Sequence, residues 1–159
     1  MTYEDFLMHF SSLLICRNVQ MSFIPFIGLK VWSFYGKWDH QIHRAGGCIN
    51  YRDTFHQNHQ YLIHLYKKME IIISVMQRDR QSELYLGREN LKIGFVIMKV
   101  EMNRNCRIHD FYEVKGNPKY SNSREVLGRF TLEKGRYILI PTTFDPGNSI
   151  NILFIPLYI

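Results

Sequence analysis

The chain has 159 residues, of which 46% are hydrophobic and 14% aromatic, a composition that fits one globular domain and excludes a disordered chain. Its 20 Lys and Arg against 14 Asp and Glu give a formal net charge of +6, which favours anionic partners without choosing among phospholipid, nucleic acid and acidic protein. The three cysteines form no Cys-x-x-Cys pair, so neither a disulfide framework nor a zinc knuckle is indicated, and a reducing intracellular compartment fits best.

The first 29 residues predict a helix followed by a connection. Residues 2 to 15 carry apolar side chains at helical spacing, Thr2 can cap the first turn, and Asp5 occupies the third position of a capping box. Residues 17–29 mix Asn, Pro and Gly with apolar residues, as connecting segments do. The acidic start lacks the basic residues and apolar run of a signal peptide, and no apolar run reaches the ~18 residues that cross a bilayer. We therefore expect a cytoplasmic protein, with peripheral membrane contact as the alternative.

From Lys30 onward the apolar pattern changes to the period of strands. Eight candidate strands are separated by turn signals such as Gly116-Asn117-Pro118. They cover Val31 to Tyr35, Tyr61 to Leu65, Glu70 to Gln77, Lys92 to Glu101, Arg107 to Val114, Val126 to Leu132, Arg136 to Thr143 and Ile150 to Tyr158. Pro141 cannot donate to a strand ladder, so it predicts an edge or a bulge. Because no helical pattern lies between the strands, the sequence predicts an all-β fold, an antiparallel eight-stranded sandwich preceded by one short N-terminal helix.

Two blocks carry the most specific pattern in the chain. The first runs Ala45-Gly46-Gly47-Cys48-Ile49-Asn50 and continues through Asp53-Thr54-Phe55 to Asn58-His59-Gln60-Tyr61, and the second extends from Gly135 to Gly147. With Gly36-Lys37-Trp38 before them, they resemble, in order, the β-sandwich that follows the protease core of calpains, a family of intracellular cysteine proteases. The resemblance implies a C2-like fold, called calpain domain III. It marks these residues as its structural signature: Trp38, Gly46, Gly47, Asn50, Phe55, Gly94, Gly135 and Pro141.

The resemblance also implies a domain order. Residues 1–17 resemble the last helix of a calpain protease core, 18–29 form a linker, and 30–159 form the sandwich. The implied partner is such a core in the same polypeptide. The stretch from Tyr66 to Glu70 is short and net basic where many calpains carry a long acidic loop, as in atypical calpains without an EF-hand tail. Calcium is therefore implied by the family but not supported by the carboxylates, which are scattered singly. No cofactor is assigned.

No motif of a cysteine protease is present. The calpain nucleophile lies in a Gln-x-Gly-x-Cys-Trp pattern, which is absent, as are the family's His and Asn signatures. Cys48 with one of the seven histidines could be drawn as a dyad, yet a small buried residue in a structural turn is the favoured interpretation. The sequence cluster of His40, His43, His56, His59 and His64 lacks the spacing of a zinc site with Cys. Neither a catalytic residue nor a metal ligand is assigned.

Six basic residues fall in or beside two loops that a sandwich could bring to one end: Lys67, Lys68, Arg78, Arg80, Arg88 and Lys92. Together they would form a surface for anionic phospholipid. Nucleic acid is not expected, because no RNP aromatic motif, helix-turn-helix or C-x-x-C finger is present. The leading hypothesis is a non-catalytic regulatory or docking domain of a calpain-type protease, whose parent performs limited, regulated proteolysis. The alternative is a freestanding C2-like module that binds lipid or protein without any link to proteolysis.

Overall fold

A computed structural model describes residues 3–9, 30–31, 33–78, 80 and 89–158. One α-helix, α1, spans Tyr3–His9, and a short 3-10 helix spans Phe55–Gln57, within these residues. The strands are β1 Lys30–Val31, β2 Phe34–Trp38, β3 Tyr61–Leu65, β4 Met69–Gln77, β5 Ile93–Val100, β6 Glu113–Gly116, β7 Glu125–Leu132, β8 Gly135–Thr143 and β9 Ile150–Tyr158. The predicted helix over 2 to 15 coincides with α1 as far as His9. Its remainder and the predicted linker over 18–29 lie outside the described residues.

The strands form two sheets in which every pairing is antiparallel. Sheet A has the order β1-β9-β4-β7, and β2 also pairs with β9. Sheet B has the order β3-β8-β5-β6. The predicted antiparallel all-β sandwich is confirmed. Two details differ from the expectation: the first predicted strand is split into β1 and β2, and the region from Arg107 to Val114 is a strand only from Glu113 onward.

The main hydrophobic core lies between the two sheets. Along β4 the inward residues Ile71, Ile73 and Val75 are fully buried, because successive side chains of a strand point to opposite faces. The ring of Phe95 from β5 meets the ring of Phe130 from β7 edge-on, with centroids 5.8 Å apart. Burying each such side chain contributes about 1.5–3 kcal/mol, so this core holds the two sheets together.

A second hydrophobic core covers the outer face of sheet B. It consists of the buried residues Phe55, Val96, Met98, Val100, Ile108, Ile138 and Ile140. Phe55 comes from the loop between β2 and β3, and Ile108 from the loop between β5 and β6. Because these two loops close over the sheet, every residue from Ile93 to Met98 in β5 is buried, and alternation is lost there.

Pro141 lies in β8 opposite Phe95 of β5. On its other side, the pairing of β8 with β3 ends at Leu139. Pro141 therefore lies at a local edge, beyond the last residue of β3, where a missing N–H costs no strand pairing.

Candidate functional site

The two sequence blocks meet in space at one end of sheet B. We call residues 45–58 the signature loop. The N–H of Cys48 donates to the carbonyl oxygen of Phe144 at 3.0 Å, and the N–H of Gly147 donates to that of Ala45 at 2.8 Å. The hydroxyl of Tyr51 donates to Oδ1 of Asp145 at 3.1 Å. The loop is thus bonded to the turn that follows β8, although about 90 residues separate the two in the chain.

The side chain of Asn58 holds the signature loop together from inside. It is fully buried, its Oδ1 accepts from the N–H of Gly46 at 3.1 Å, and its Nδ2 donates to the carbonyl oxygens of Gly47 at 2.8 Å and Phe55 at 2.9 Å. Thr54 adds a fourth bond, from Oγ1 to the carbonyl oxygen of Gly46 at 2.7 Å. Buried backbone groups must find partners, and here one amide side chain supplies three of them.

Gly46 and Gly47 are each required to be glycine, for two different structural reasons. A Cβ on Gly46 would lie 1.9 Å from the carbonyl oxygen of Thr54, so only hydrogen fits. Gly47 has a φ of 77°, in the left-handed region that other residues rarely adopt, and a Cβ there would lie 2.8 Å from the nitrogen of Pro146.

The other signature residues are structural as well. Trp38 is fully buried, and its Nε1 donates to the carbonyl oxygen of Pro141 at 3.2 Å, which ties sheet A to sheet B. A Cβ on Gly94 would lie 2.9 Å from the ring of Tyr120, and one on Gly135 would lie 3.3 Å from Cε of Lys99.

Tyr120 shows how tightly the ring beside Gly94 is packed. Its hydroxyl is hydrogen-bonded to Oγ1 of the buried Thr142 at 2.6 Å, and burial raises its pKa to about 12. Asn50 differs from the other signature residues in being exposed, in the turn after Cys48.

The two described cysteines lie in different surroundings. Cys48, the cysteine considered in the sequence, is only 2% exposed within the signature loop. Cys106 is exposed, and Nη1 of Arg104 donates to its sulfur at 3.4 Å. In the part of the chain that the structure describes, no group of three or more His, Cys, Asp and Glu residues is placed to hold a metal ion.

The histidines of the sequence cluster are spread over different surroundings. His40 and His43 line a shallow cleft of about 330 Å³ with Thr54, Gln57 and Pro146. His59 donates from Nε2 to the carbonyl oxygen of Lys37 at 2.9 Å, and burial lowers its pKa. His56 faces His109, with ring centroids 5.6 Å apart. His64 lies on the outer face of β3 against Tyr66.

The six basic residues do not share one end of the sandwich, which corrects the sequence-based expectation. Lys67 and Lys68 precede β4, whereas Arg78 follows it. At about 3.3 Å per residue, nine residues of strand place these two groups roughly 30 Å apart. Lys68 forms an ion pair with Glu133 at 2.7 Å. Arg88 lies outside the described residues.

Arg78, Arg80 and Lys92 do lie at the same end. Nε2 of Gln77 donates to the carbonyl oxygen of Leu91 at 2.7 Å, and its Oε1 accepts from the N–H of Leu91 at 3.0 Å. The N–H of Arg80 donates to Oδ1 of Asn90 at 3.2 Å. These bonds connect the segment after β4 to the segment before β5, so three of the six positions remain grouped.

Sequence reasoning missed the polar side chains that fasten the loops over sheet B. Arg107 donates from Nη2 to the carbonyl oxygens of His56, Gln57 and Asn58 at 2.9, 3.3 and 3.0 Å. Gln60 bonds both the N–H and the carbonyl oxygen of Ile108, at 2.8 and 3.0 Å. A single sequence offers no signal for such long-range pairs, because the partners are backbone atoms that any residue carries.

No helix among the described residues is both long and apolar enough to cross a bilayer.

The known proteins that this chain resembles are calpains. A family model described as calpain large subunit, domain III, matches residues 34–154. Calpain-5 of Mus musculus is 42% identical over 158 residues, which cover 94% of this chain and 24% of that protein.

Two further relatives are more distant. Calpain-A of Drosophila melanogaster is 34% identical over 170 residues, covering 94% of this chain and 20% of its own length. The calpain-2 catalytic subunit of Homo sapiens is 34% identical over 171 residues, which cover 94% of this chain and 24% of that protein. The chain thus spans about a quarter or less of the length of these relatives. Because the match includes strands of both sheets and the signature loop, this chain belongs to the calpain domain III family, a non-protease part of calpains.

Proposed function

We propose that this chain serves as a regulatory or docking domain in a cytoplasmic calpain-type cysteine protease, where it braces a protease core in the same polypeptide. The observation that supports this proposal most is the extent of the family match, which runs from Phe34 in β2 to Phe154 in β9 and so covers nearly the whole sandwich. The packing agrees with a bracing role, since backbone polar groups of Gly46, Gly47 and Phe55 form hydrogen bonds inside the domain. The parent's role would be limited proteolysis.

A reconstitution experiment tests the bracing role. The 159-residue chain is mixed with the separately produced protease core of mouse Calpain-5, and binding and the melting temperature of the core are measured. We expect saturable binding and a higher melting temperature of the core. Absence of both effects at the highest soluble concentration would favour the alternative, a freestanding module. A parallel assay with casein, with and without calcium, should give no hydrolysis by the chain alone.

Phospholipid contact is the second role that we propose, at one end of the sandwich. Arg78, Arg80 and Lys92 are grouped there by the bonds of Gln77 and Asn90. Each Lys or Arg near an anionic membrane contributes about 1 kcal/mol, so three together give an affinity difference of roughly 100-fold at low salt.

Sedimentation with phosphatidylserine vesicles at low and high salt measures this contact. Changing Arg78, Arg80 and Lys92 to Ala should abolish pelleting, whereas the matched change of Lys67 and Lys68 to Ala, at the opposite end, should leave it intact. Equal pelleting of both variants and the parent chain would reject the proposed membrane surface.

A further inference from the structure

His64 and Arg136 face each other across neighbouring strands of sheet B. They are register partners in the β3–β8 pair. Arg136 shares a face of β8 with Ile138 and Ile140, which belong to the outer core, so both basic side chains lie on the outer face of the sheet.

Both side chains keep a buried nitrogen without a partner. Nε2 of His64 and Nε of Arg136 are shielded from solvent and form no hydrogen bond with any described residue. The guanidinium group of Arg136 is nevertheless fixed, because its Nη1 donates to the carbonyl oxygen of Arg104 at 2.6 Å and to Oδ1 of Asn105 at 2.8 Å. Buried polar groups in native proteins nearly always have partners, so two neighbouring orphaned nitrogens point to a shared acceptor.

A cleft lies beside the segment that holds the guanidinium group of Arg136. It has a volume of about 380 Å³ and is lined by Glu101, Asn103, Arg104, Asn105 and Cys106. Nη1 of Arg136 donates to two of these residues, so the guanidinium group contacts residues that line the cleft. Because Asn105 accepts through Oδ1, its Nδ2 group remains as a donor for a ligand.

The one carboxylate of the cleft is already neutralised. Arg104 holds Glu101 in a bidentate pair, with Nε to Oε2 and Nη2 to Oε1 both at 3.1 Å. Because Glu101 is held by Arg104, the positive charge of Arg136 has no counter-ion at salt-bridge distance among the described residues. The local balance is therefore two guanidinium groups against one carboxylate.

We propose that His64, Arg136 and the adjoining cleft bind a small oxyanion with the chemistry of phosphate. An oxyanion accepts several hydrogen bonds at once and pairs with a guanidinium group through short, charge-assisted bonds. It would satisfy both orphaned nitrogens. Acetate, which has fewer acceptor positions and a single charge, should bind more weakly. This site is independent of the bracing role and of the basic end of the sandwich.

The test is a titration of the full chain with inorganic phosphate at constant ionic strength, followed by NMR of the imidazole of His64 and the guanidinium group of Arg136. We expect saturable shifts of both side chains. Glycerol 3-phosphate forms a second arm, which distinguishes free phosphate from a phosphoryl group on a carrier, and acetate forms a third. The Arg136→Lys variant keeps the charge but lacks the guanidinium fork, so its affinity for phosphate should fall by about tenfold or more.

Lys134→Gln is the matched control, since it removes an exposed cation two residues away and should leave the affinity unchanged. His64→Gln provides a second variant should Arg136→Lys fail to fold, and it should also weaken binding. Shifts that grow linearly and equal those in sodium chloride would overturn the proposal, as would unaltered affinity in Arg136→Lys or stronger binding of acetate than of phosphate.

Discussion

The two hydrophobic cores of this sandwich are built in different ways. The core between the sheets comes from alternating strand residues, as in β4, and follows from local pattern alone. The outer core of sheet B depends on loops that arrive from two distant parts of the chain and are fixed by polar side chains such as Asn58 and Arg107. Four of the eight signature residues, Gly46, Gly47, Asn50 and Phe55, lie in the signature loop, where close backbone approach matters more than hydrophobicity.

The strongest way to break this arrangement is to add a methyl group inside the signature loop. Gly46→Ala would place a Cβ 1.9 Å from the carbonyl oxygen of Thr54, so the backbone must shift, and we expect a loss of about 4 kcal/mol in the free energy of unfolding. Urea unfolding measures it. Gly147→Ala is the control: φ is 81° there, but the nearest atom is 3.6 Å away, so only about 1 kcal/mol of strain is expected. Equal losses in the two variants would contradict the close approach at Gly46.

Emptying the outer core should have the next largest effect. Phe55→Ala removes a ring that is 2% exposed and should cost about 3 kcal/mol. Phe111 stacks on Phe55 with centroids 5.6 Å apart but is 37% exposed, so Phe111→Ala should cost about 1 kcal/mol. Chemical denaturation of both variants compares them, and a larger loss for Phe111 would show that the outer core is organised differently.

Removing the side chain of Asn58, the polar centre of the signature loop, should lower the free energy of unfolding less than removing the ring of Phe55. Asn58→Ala leaves the N–H of Gly46 and two carbonyl oxygens without their bonds, and we expect about 2 kcal/mol. Asn148→Ala, which loses one exposed bond to Asp145, should cost under about 0.5 kcal/mol. Thermal unfolding in parallel ranks the two, and a small effect at Asn58 would mean that the loop tolerates local opening.

The smallest expected effect is a pH dependence at His59. Burial lowers its pKa in the folded state, whereas an unfolded histidine titrates near 6.5. As the pH falls below about 6.5, the unfolded chain takes up a proton that the folded chain resists, so stability present at neutral pH is progressively lost. His59→Gln should flatten the fall in unfolding free energy between neutral and acidic pH, while His40→Gln, at an exposed position, should not. If the unfolding free energy fell equally with pH in the parent chain and in both variants, His59 would not be the source of the pH dependence.

The sequence predicted the sheet residues well because strand periodicity is local. Tyr61–Leu65 and Ile150–Tyr158 are strands with the bounds that the pattern indicated. The region from Arg107 to Val114 misled the prediction, since Ile108 and Tyr112 face the outer core from a loop whose shape is set by Gln60 and Arg107.

The predicted grouping of all six basic residues at one end does not hold, for a reason that strand length could have revealed. Lys68 and Arg78 bracket β4, and a nine-residue strand necessarily holds its two ends far apart. The roles of the signature residues were only partly visible. The paired glycines indicated a close approach or a positive φ. The role of Asn58, whose side chain both accepts and donates the bonds that close the loop, depends on a tertiary arrangement that no local pattern encodes.

The central claim is that the signature loop is part of the cooperative core and not a mobile active-site loop. Native-state hydrogen exchange tests it most directly at three amides, those of Gly46, Cys48 and Gly147, which donate within and across the loop. We predict exchange only through global unfolding, with the same free energy as the amide of Ile97 in β5. Exchange of these amides through local opening, at a free energy well below that of Ile97, would contradict the account.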